Sequence, residues 1–187
     1  VLTNDDVINE RARLLRSHGE VLVPQGRSYE SNIVGWNYRM TEIEAAIGFA
    51  QIPKLDFLND WRIKNARVLN RITELPGFKT IEVPGENSKN VIHAFALRFN
   101  AEEVGVSRDV FLQALKAEGI EADKGYPHPL YMNPLFLNMG EPYKKGLNPR
   151  TEELCSSEAI WIRKVMWPNN EEDMEDIVNG FTKVVEN

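Results

Sequence analysis

The sequence has little of several residue types that would define its class. Cys155 is the single cysteine in 187 residues, so a disulfide-stabilised scaffold is disfavoured. No apolar run approaches the roughly 20 residues that a membrane span needs, and no signal-peptide pattern opens the chain. The 22 lysines and arginines are outnumbered by 28 acids, and the net charge of −6 gives no overall attraction for nucleic acid. These absences favour a reduced cytoplasmic protein that binds neither a membrane nor nucleic acid.

Groups that ligate metals or act as nucleophiles are also scarce. The three histidines, which are far apart and lack cysteine or carboxylate at metal-ligand spacing, are His18, His93 and His128. The sequence contains no nucleophile elbow, no P-loop and no GxGxxG motif. Cys155 has no evident activating partner and is expected to be buried. We therefore expect no metal site and no self-contained catalytic machinery.

The start of the chain predicts a strand end followed by a helix. Val1–Thr3 resembles the end of a strand, and Asn4 is placed to cap a helix that stops at Gly19. Because a strand needs neighbours, we expect the chain to be the second part of a larger protein; a complete small domain is the alternative. Residues 20–35 carry glycine, proline and serine without a regular period and are predicted to be a loop. His18 is expected to complement the helix C-terminus rather than bind a ligand.

Two more helices are predicted before residue 78. Thr41 and Glu44 have the spacing of a capping box at the start of the first. Pro53 fits the first turn of the second, which Pro76-Gly77 ends. Three tryptophans lie in apolar patterns that are typical of a core, namely Trp61, Trp161 and Trp167.

From about residue 78 the pattern changes to short strands and helices. Strands are predicted over Lys79–Pro84, Val91–Phe99 and Ile120–Tyr126, with a turn at Gly85–Asn90 between the first two. Further helices are predicted to begin at three caps, Ser107 (for a helix that stops at Gly119), Thr151 and Asn170. The proline-containing loop of residues 127–150 is long enough to be functional or docked on a partner. The predicted fold is α+β, with helices leading into a small antiparallel sheet that has flanking helices.

Gly35–Thr41 is the segment that carries most chemical information. If it runs extended, its three large apolar side chains point one way, and Asn37 and Arg39 point the other way. An amide, a guanidinium and bare glycine backbone just before a helix N-terminus are the parts of an anion site. The alternative is a structural loop in which Arg39 pairs with a nearby carboxylate and Asn37 caps backbone.

A second candidate is the stretch Gly125–Tyr131. Two prolines hold His128 in extended geometry, since each restricts its own φ and the backbone of its predecessor. The imidazole and the hydroxyl of Tyr126 can both donate to and accept from sugar hydroxyls. A substrate contact is one interpretation of this stretch, and an ordinary rigid loop that packs its aromatic side chains is the other.

The run Gly35–Gly48, which reads Gly-Trp-Asn-Tyr-Arg-Met-Thr-Glu-Ile-Glu-Ala-Ala-Ile-Gly, resembles the DegT/DnrJ/EryC1/StrS aminotransferases. These are pyridoxal-phosphate enzymes of sugar and cyclitol amination. Glu44 stands where the family commonly has glutamine. The resemblance extends over almost the whole chain, and its further matches are Gln51, Lys54-Leu55-Asp56, Arg62, the stretch Val1–Gly19, Glu118-Gly119-Ile120, the stretch Tyr126–Leu130 and Trp167-Pro168.

The resemblance implies the C-terminal part of a fold-type-I aminotransferase. Residues 1–60 would be a remnant of the large cofactor domain with an interface loop and a connecting helix, and residues 61–187 would form the small C-terminal α+β domain. In this family a lysine holds the cofactor as a Schiff base and an aspartate pairs with its pyridine nitrogen. Both segments match positions upstream of Val1, so we expect no catalytic residue in this chain and no transamination by it alone.

The resemblance also implies roles for the two candidate sites. Asn37, with Arg39 close by, would contact the phosphate of pyridoxal 5′-phosphate held by the partner subunit of a homodimer. Tyr126 and His128 would face a keto sugar nucleotide or a cyclitol, and an amino acid such as glutamate or glutamine would be the amino donor. Two alternatives stay open. One is a non-catalytic dimerisation or ligand-binding domain derived from the family, and the other is a sugar dehydratase with histidine in place of the lysine.

Overall fold

The structure, a computed structural model, describes residues 2–23, 26–80 and 89–187. It divides into two compact units, Val1–Lys54 and Leu55–Asn187. Helices alternate with two small antiparallel sheets, one in each unit, so the predicted α+β class is confirmed. Within the described ranges, no helix is both long enough and apolar enough to cross a membrane.

The first unit is built from two helices and a hairpin. Its elements are α1 (Asp6–Arg16), β1 (Glu20–Val23), β2 (Gly26–Ser31), α2 (Glu42–Gln51) and a 3-10 turn at Ile52–Lys54. The hairpin corrects the loop predicted over residues 20–35, and it was missed because these strands show little apolar alternation. Asn4 was the wrong cap, since Asp5 Oδ1 accepts the hydrogen bonds from the first backbone N–H groups of α1 at 2.9 and 3.0 Å.

The second unit has a three-stranded sheet with helices packed on it. Its helices are α3 (Leu55–Leu69), α4 (Ala101–Val104), α5 (Arg108–Ala117), α6 (Pro134–Leu137), α7 (Pro149–Glu153) and α8 (Glu171–Glu186), and its strands are β3 (Phe78–Thr80), β4 (Phe95–Phe99) and β5 (Ala159–Ile162). The antiparallel order is β3-β4-β5, with Phe78 opposite Phe99 and Phe95 opposite Ile162. A π-helical turn, Leu154–Glu158, leads into β5.

The core of the second unit lies between this sheet and helices α3, α5 and α8. Alternate residues of β4 point inward, so Phe95, Leu97 and Phe99 are buried while Arg98 is exposed. Four rings with centroids 5.3–5.6 Å apart form the centre of this core, namely Phe78, Phe99, Phe111 and Phe181. Every buried apolar side chain among the described residues belongs to this unit.

Three of the predicted helix caps are confirmed, and the cap predicted for α7 is wrong, as is that for α1. Thr41 forms a capping box with Glu44, and the side chains of Ser107 and Asn170 cap α5 and α8. Asn148 caps α7 where Thr151 was predicted, because the Asn148 side chain accepts the hydrogen bond of the Thr151 N–H at 3.2 Å. Pro53 lies in the 3-10 turn that precedes α3 rather than in the helix itself.

The predicted strands are only partly present. The first covers Phe78–Thr80, and residues 81–88 of the predicted strand and turn lie outside the described residues. The second begins at Phe95 instead of Val91. The strand predicted over Ile120–Tyr126 is wrong, because Gly125 turns the chain with a φ of 68° and only Asp123 pairs, in an isolated bridge with Trp161.

The tryptophans and the long loop also differ from expectation. Trp61 and Trp161 are half-buried, but Trp167 is 55% exposed because it lies between β5 and α8 rather than in either element. The predicted loop of residues 127–150 contains a 3-10 turn at Leu130–Met132 and all of α6.

Candidate functional site

Residues 36–38 lie along the C-terminal end of α1. Ser17 and Asn37 form an isolated antiparallel bridge there. Three backbone hydrogen bonds of 2.9 Å join the segments: from Trp36 N to Leu15 O, from Tyr38 N to Arg16 O and from His18 N to Trp36 O. Carbonyl groups that a helix end leaves without a partner are thereby satisfied. The segment that carries the candidate anion site is thus fixed to α1.

The side chains of this segment alternate as the sequence predicts. The rings of Trp36 and Tyr38 stack on one side with centroids 5.8 Å apart, and both are at least half exposed. On the other side, Arg39 Nε donates a hydrogen bond to Asn37 Oδ1 at 2.9 Å. The structure therefore brings the two predicted anion-binding residues together.

The guanidinium of Arg39 keeps an unused donor. Its Nη2 lies 3.4 Å from His18 Nε2, and its Nη1 is buried with no hydrogen-bond partner among the described residues. Within that part of the chain no carboxylate pairs with Arg39, which argues against the alternative of a structural ion pair. A buried guanidinium N–H normally has an acceptor, so an anion is a suitable ligand at this position.

The N-terminus of α2 contributes less to this site than the sequence suggests. The Glu44 carboxylate accepts a hydrogen bond from Thr41 N at 2.7 Å, and Thr41 Oγ1 accepts one from Glu44 N at 3.3 Å. The backbone hydrogen bond from Thr41, followed by that from its hydroxyl, holds the pKa of Glu44 below its ordinary value. A carboxylate therefore already lies at the positive end of the helix dipole. Arg39 supplies the positive charge of the site.

The second candidate stretch places its two side chains against different neighbours. Tyr126 is exposed and sets its ring edge-on to Trp161 with centroids 5.2 Å apart. His128 Nε2 lies 3.0 Å from Asn133 Oδ1, and Asn133 Nδ2 donates to the Leu130 carbonyl at 2.9 Å. No hydrogen bond or ring contact joins Tyr126 to His128, both of which are described. The structure thus packs Tyr126 on Trp161 and ties His128 to Asn133, and it does not join the two side chains to each other.

An interaction that the sequence analysis missed closes the long loop. Tyr131 Oη donates to Glu152 Oε1 at 2.6 Å and accepts from Asn148 N at 3.0 Å, while Gly146 N donates to the same carboxylate oxygen at 2.6 Å. Partial burial and the hydrogen bond to Glu152 raise the pKa of Tyr131, and the hydrogen bonds from Tyr131 and Gly146 lower the pKa of Glu152. The partners are 21 residues apart, and no local motif signals such a pair.

The other titratable candidates have structural explanations. Partial burial acts to raise the pKa of Asp123, but hydrogen bonds from Arg163 and from the Gly125 N–H outweigh it and keep this pKa below its ordinary value. Cys155 is half-buried rather than buried, and burial raises the pKa of its thiol, so it is not an activated nucleophile. The described residues contain no group of three or more histidine, cysteine or acidic side chains that could hold a metal ion.

Comparison with known proteins identifies the family. The family model of the DegT/DnrJ/EryC1/StrS aminotransferases matches residues 1–182. The chain belongs to this family. It is 30% identical over 180 residues to the pleiotropic regulatory protein of Geobacillus stearothermophilus, a match that covers 95% of this chain and 44% of that protein. It is 28% identical over 197 residues to GDP-perosamine synthase of Caulobacter vibrioides, a match that covers 99% of this chain and 47% of that protein.

Solved structures of the family share the fold. PseC of Helicobacter pylori is an aminotransferase involved in the biosynthesis of pseudoaminic acid. It superposes with a TM-score of 0.75 at 25% identity, and the match covers 98% of the present chain and 47% of the PseC chain. DesV of S. venezuelae superposes with a TM-score of 0.79 at 24% identity. This match covers 100% of the present chain and 46% of the DesV chain. The chain thus spans less than half the length of these relatives, and its α+β fold is that of the matching part of aminotransferases.

Proposed function

We propose that the whole protein carrying this chain is a pyridoxal-phosphate-dependent transaminase that moves an amino group from an amino acid, glutamate or glutamine, to a keto sugar nucleotide or a cyclitol. The observation that carries the proposal is the buried Nη1 of Arg39 beside Asn37, for which the described residues offer no hydrogen-bond partner, in a member of an aminotransferase family. The similarity to a protein named GDP-perosamine synthase supports a nucleotide-sugar substrate.

The residues present fit the phosphate of this cofactor. Asn37 Oδ1 accepts from Arg39, so the Asn37 amide N–H₂ is left as a donor beside the guanidinium. A phosphate dianion offers acceptors only and binds most strongly to charged and amide donors. In the proposed homodimer, Asn37 and Arg39 of one subunit hold the phosphate of the cofactor in the partner subunit.

Pyridoxal phosphate, when bound, supplies the electron sink that amino-group transfer requires. The residues of this chain bind and orient the cofactor and the substrate. Because Asn133 Nδ2 donates to a carbonyl, its Oδ1 is an acceptor, and His128 therefore donates from Nε2 and has the lone pair of Nδ1 for a substrate hydroxyl. We assign His128 to substrate contact on this basis, and Tyr126 because its ring is exposed beside Trp161. The lysine that carries the cofactor belongs, in this proposal, to a segment upstream of Val1.

The surface of the first unit supports a larger assembly. None of its described apolar side chains is buried, and Ile43 is 75% and Phe49 81% exposed on α2. Exposed apolar area of this kind marks a contact surface. We place residues 1–60 with the large cofactor domain and the homodimer interface, and residues 61–187 in the small domain of a cytoplasmic enzyme.

The test compares two cofactor forms on the whole protein. We expect Asn37→Ala and Arg39→Ala to raise the dissociation constant of pyridoxal phosphate about tenfold, since each removes a hydrogen bond to a charged group. The affinity for pyridoxal, which lacks the phosphate, should not change. Both constants are obtained by spectrophotometric titration.

Arg13→Ala is the matched control, because it removes one positive charge from α1, where this exposed side chain donates a hydrogen bond to Asn9 Oδ1. It should leave both constants unchanged. Equal constants in wild type and Arg39→Ala would contradict the assigned phosphate contact. A whole protein that binds neither cofactor nor a nucleotide sugar would instead favour a non-catalytic relative, and sugar dehydration without amino transfer would favour the dehydratase alternative.

A further inference from the structure

His18 adopts a backbone conformation that residues other than glycine rarely take. Its φ is 61°, in the left-handed region. Its N–H donates to the Trp36 carbonyl at 2.9 Å, and its own carbonyl accepts from Ser31 Oγ at 2.9 Å. An unfavourable conformation persists only where the surroundings enforce it, and such conformations cluster at functional sites.

Two glycines bring the chain around His18 into direct backbone contact. A Cβ added to Gly35 would lie 2.2 Å from Gly19 N and 2.7 Å from the His18 carbonyl carbon. A Cβ on Gly19 would lie 1.9 Å from the Ile33 carbonyl oxygen. Only glycine permits an approach this close. This close approach of residues 18–19 to residues 33–35 fixes the direction in which the His18 side chain leaves the backbone.

The His18 side chain ends at the guanidinium of Arg39. Nε2 of the imidazole lies 3.4 Å from Arg39 Nη2. Arginine has donors and no acceptor, so this contact requires a lone pair on Nε2 and places the imidazole proton on Nδ1. Asn37 holds the guanidinium at Nε, and His18 holds it at Nη2. The third nitrogen, Nη1, is the one without a partner among the described residues.

We propose that His18 is a positioning residue for the anion site: its neutral imidazole and the Asn37 amide together orient the Arg39 guanidinium so that Nη1 points to the bound phosphate. The proposal rests on the phosphate role assigned above to Arg39. His18 itself makes no contact with the anion. Its effect is therefore confined to ligands that carry a phosphate and disappears when Arg39 is absent.

A double-mutant cycle on the whole protein tests this coupling. Asn tolerates the left-handed conformation but is too short to place an acceptor at the position of Nε2, whereas Gln can place one there. We expect His18→Asn to weaken the binding of pyridoxal phosphate about threefold to tenfold, the range for one ordinary hydrogen bond, because the effect acts through Arg39 and not on the phosphate itself. The affinity for pyridoxal should not change. His18→Gln should restore the wild-type constant. In an Arg39→Ala background, His18→Asn should have no further effect.

The outcomes separate this proposal from the proposed function. An unchanged constant in His18→Asn, or an equal loss with and without Arg39, overturns the role of His18 alone. If Arg39→Ala does not alter the preference for pyridoxal phosphate over pyridoxal, the phosphate role fails and the positioning role fails with it. A measurement on the wild type needs no variant: the ¹⁵N shifts of the His18 ring must show the proton on Nδ1, and a proton on Nε2 would contradict the contact.

Discussion

Arg108 is the only charged side chain that is buried among the described side chains, and its contacts explain why. Its guanidinium donates to three backbone carbonyls at the end of the π-helical turn: Nη1 to Cys155 O at 3.0 Å and to Ala159 O at 3.3 Å, and Nη2 to Ser156 O at 2.6 Å. Carbonyls at a helix end need donors that the helix does not supply. Arg108 therefore fixes the entry into β5.

Replacing Arg108 by methionine should destabilise the second unit. The methionine keeps the apolar stem but removes the Arg108 donors from three carbonyls that are buried or partly buried, and we expect the free energy of unfolding in urea to fall by about 2–4 kcal/mol. Asp109→Asn removes the exposed carboxylate that lies 3.5 Å from Arg108 Nε and should change this free energy by less than about 1 kcal/mol, because exposed ion pairs contribute little. An Arg108→Met variant as stable as Asp109→Asn would show that the carbonyls find other donors.

The sequence predicts individual residues well only where their partners are local. Asn37 and Arg39 were identified from alternation within one short segment, and the structure places their side chains in contact with each other. Arg108 carries no signal of its role, since its acceptors lie 47–51 residues away. His18 was interpreted as a helix-end charge because its contact with Arg39 depends on a chain crossing 21 residues apart.

At the scale of elements, the Tyr131–Glu152 hydrogen bond holds the two ends of a loop together. Tyr131→Phe removes the group that binds both the Glu152 carboxylate and the Asn148 N–H. Because one hydrogen bond contributes about 1 kcal/mol, we expect amide exchange at Gly146 and Asn148 to become about fivefold faster at neutral pH. Tyr143→Phe is the control, since this hydroxyl of the same loop has no hydrogen bond within the described residues. Equal exchange rates in the two variants would show that the Tyr131–Glu152 hydrogen bond does not hold the loop in place.

The hydrogen bond between Tyr131 and Glu152 should weaken in acid. The pKa of Glu152 is lower in the folded protein than its ordinary value of 4.5, so its contribution to stability is complete above that value and is lost as the pH falls through the folded value. The difference in exchange rate between wild type and Tyr131→Phe, compared at each pH, should therefore shrink between pH 6.5 and pH 3.5. A difference that is independent of pH would show that the carboxylate is not the partner that matters.

Elements follow from sequence where their signals are short-range. Thr41, Ser107 and Asn170 were identified as caps because a cap binds backbone two or three residues away. Strands were less predictable, because pairing joins distant segments. Ala159–Ile162 is an edge strand of its sheet that buries three of its four residues, and it pairs with a strand more than 60 positions earlier. The segment after Gly119 has strand-like composition but finds one bridge only.

At the scale of the whole molecule, the two units differ in how they are stabilised. The second has a continuous apolar core, so its α+β arrangement follows from the burial of its own side chains. The first buries none of its described apolar side chains, and Trp36, Ile43 and Phe49 are at least half exposed. The sequence indicated this imbalance only through its family resemblance, because hydrophobic patterns do not show whether the covering surface belongs to the same chain.

We propose that this chain supplies the phosphate contact and that the cofactor lysine lies elsewhere in the whole protein. The most direct measurement treats this chain and the whole protein with pyridoxal phosphate and borohydride and then determines their intact masses and the modified residue. We expect no stoichiometric adduct on this chain and one adduct on the whole protein, at a lysine outside these 187 residues. A single stoichiometric adduct on any of the ten lysines present here would contradict the account.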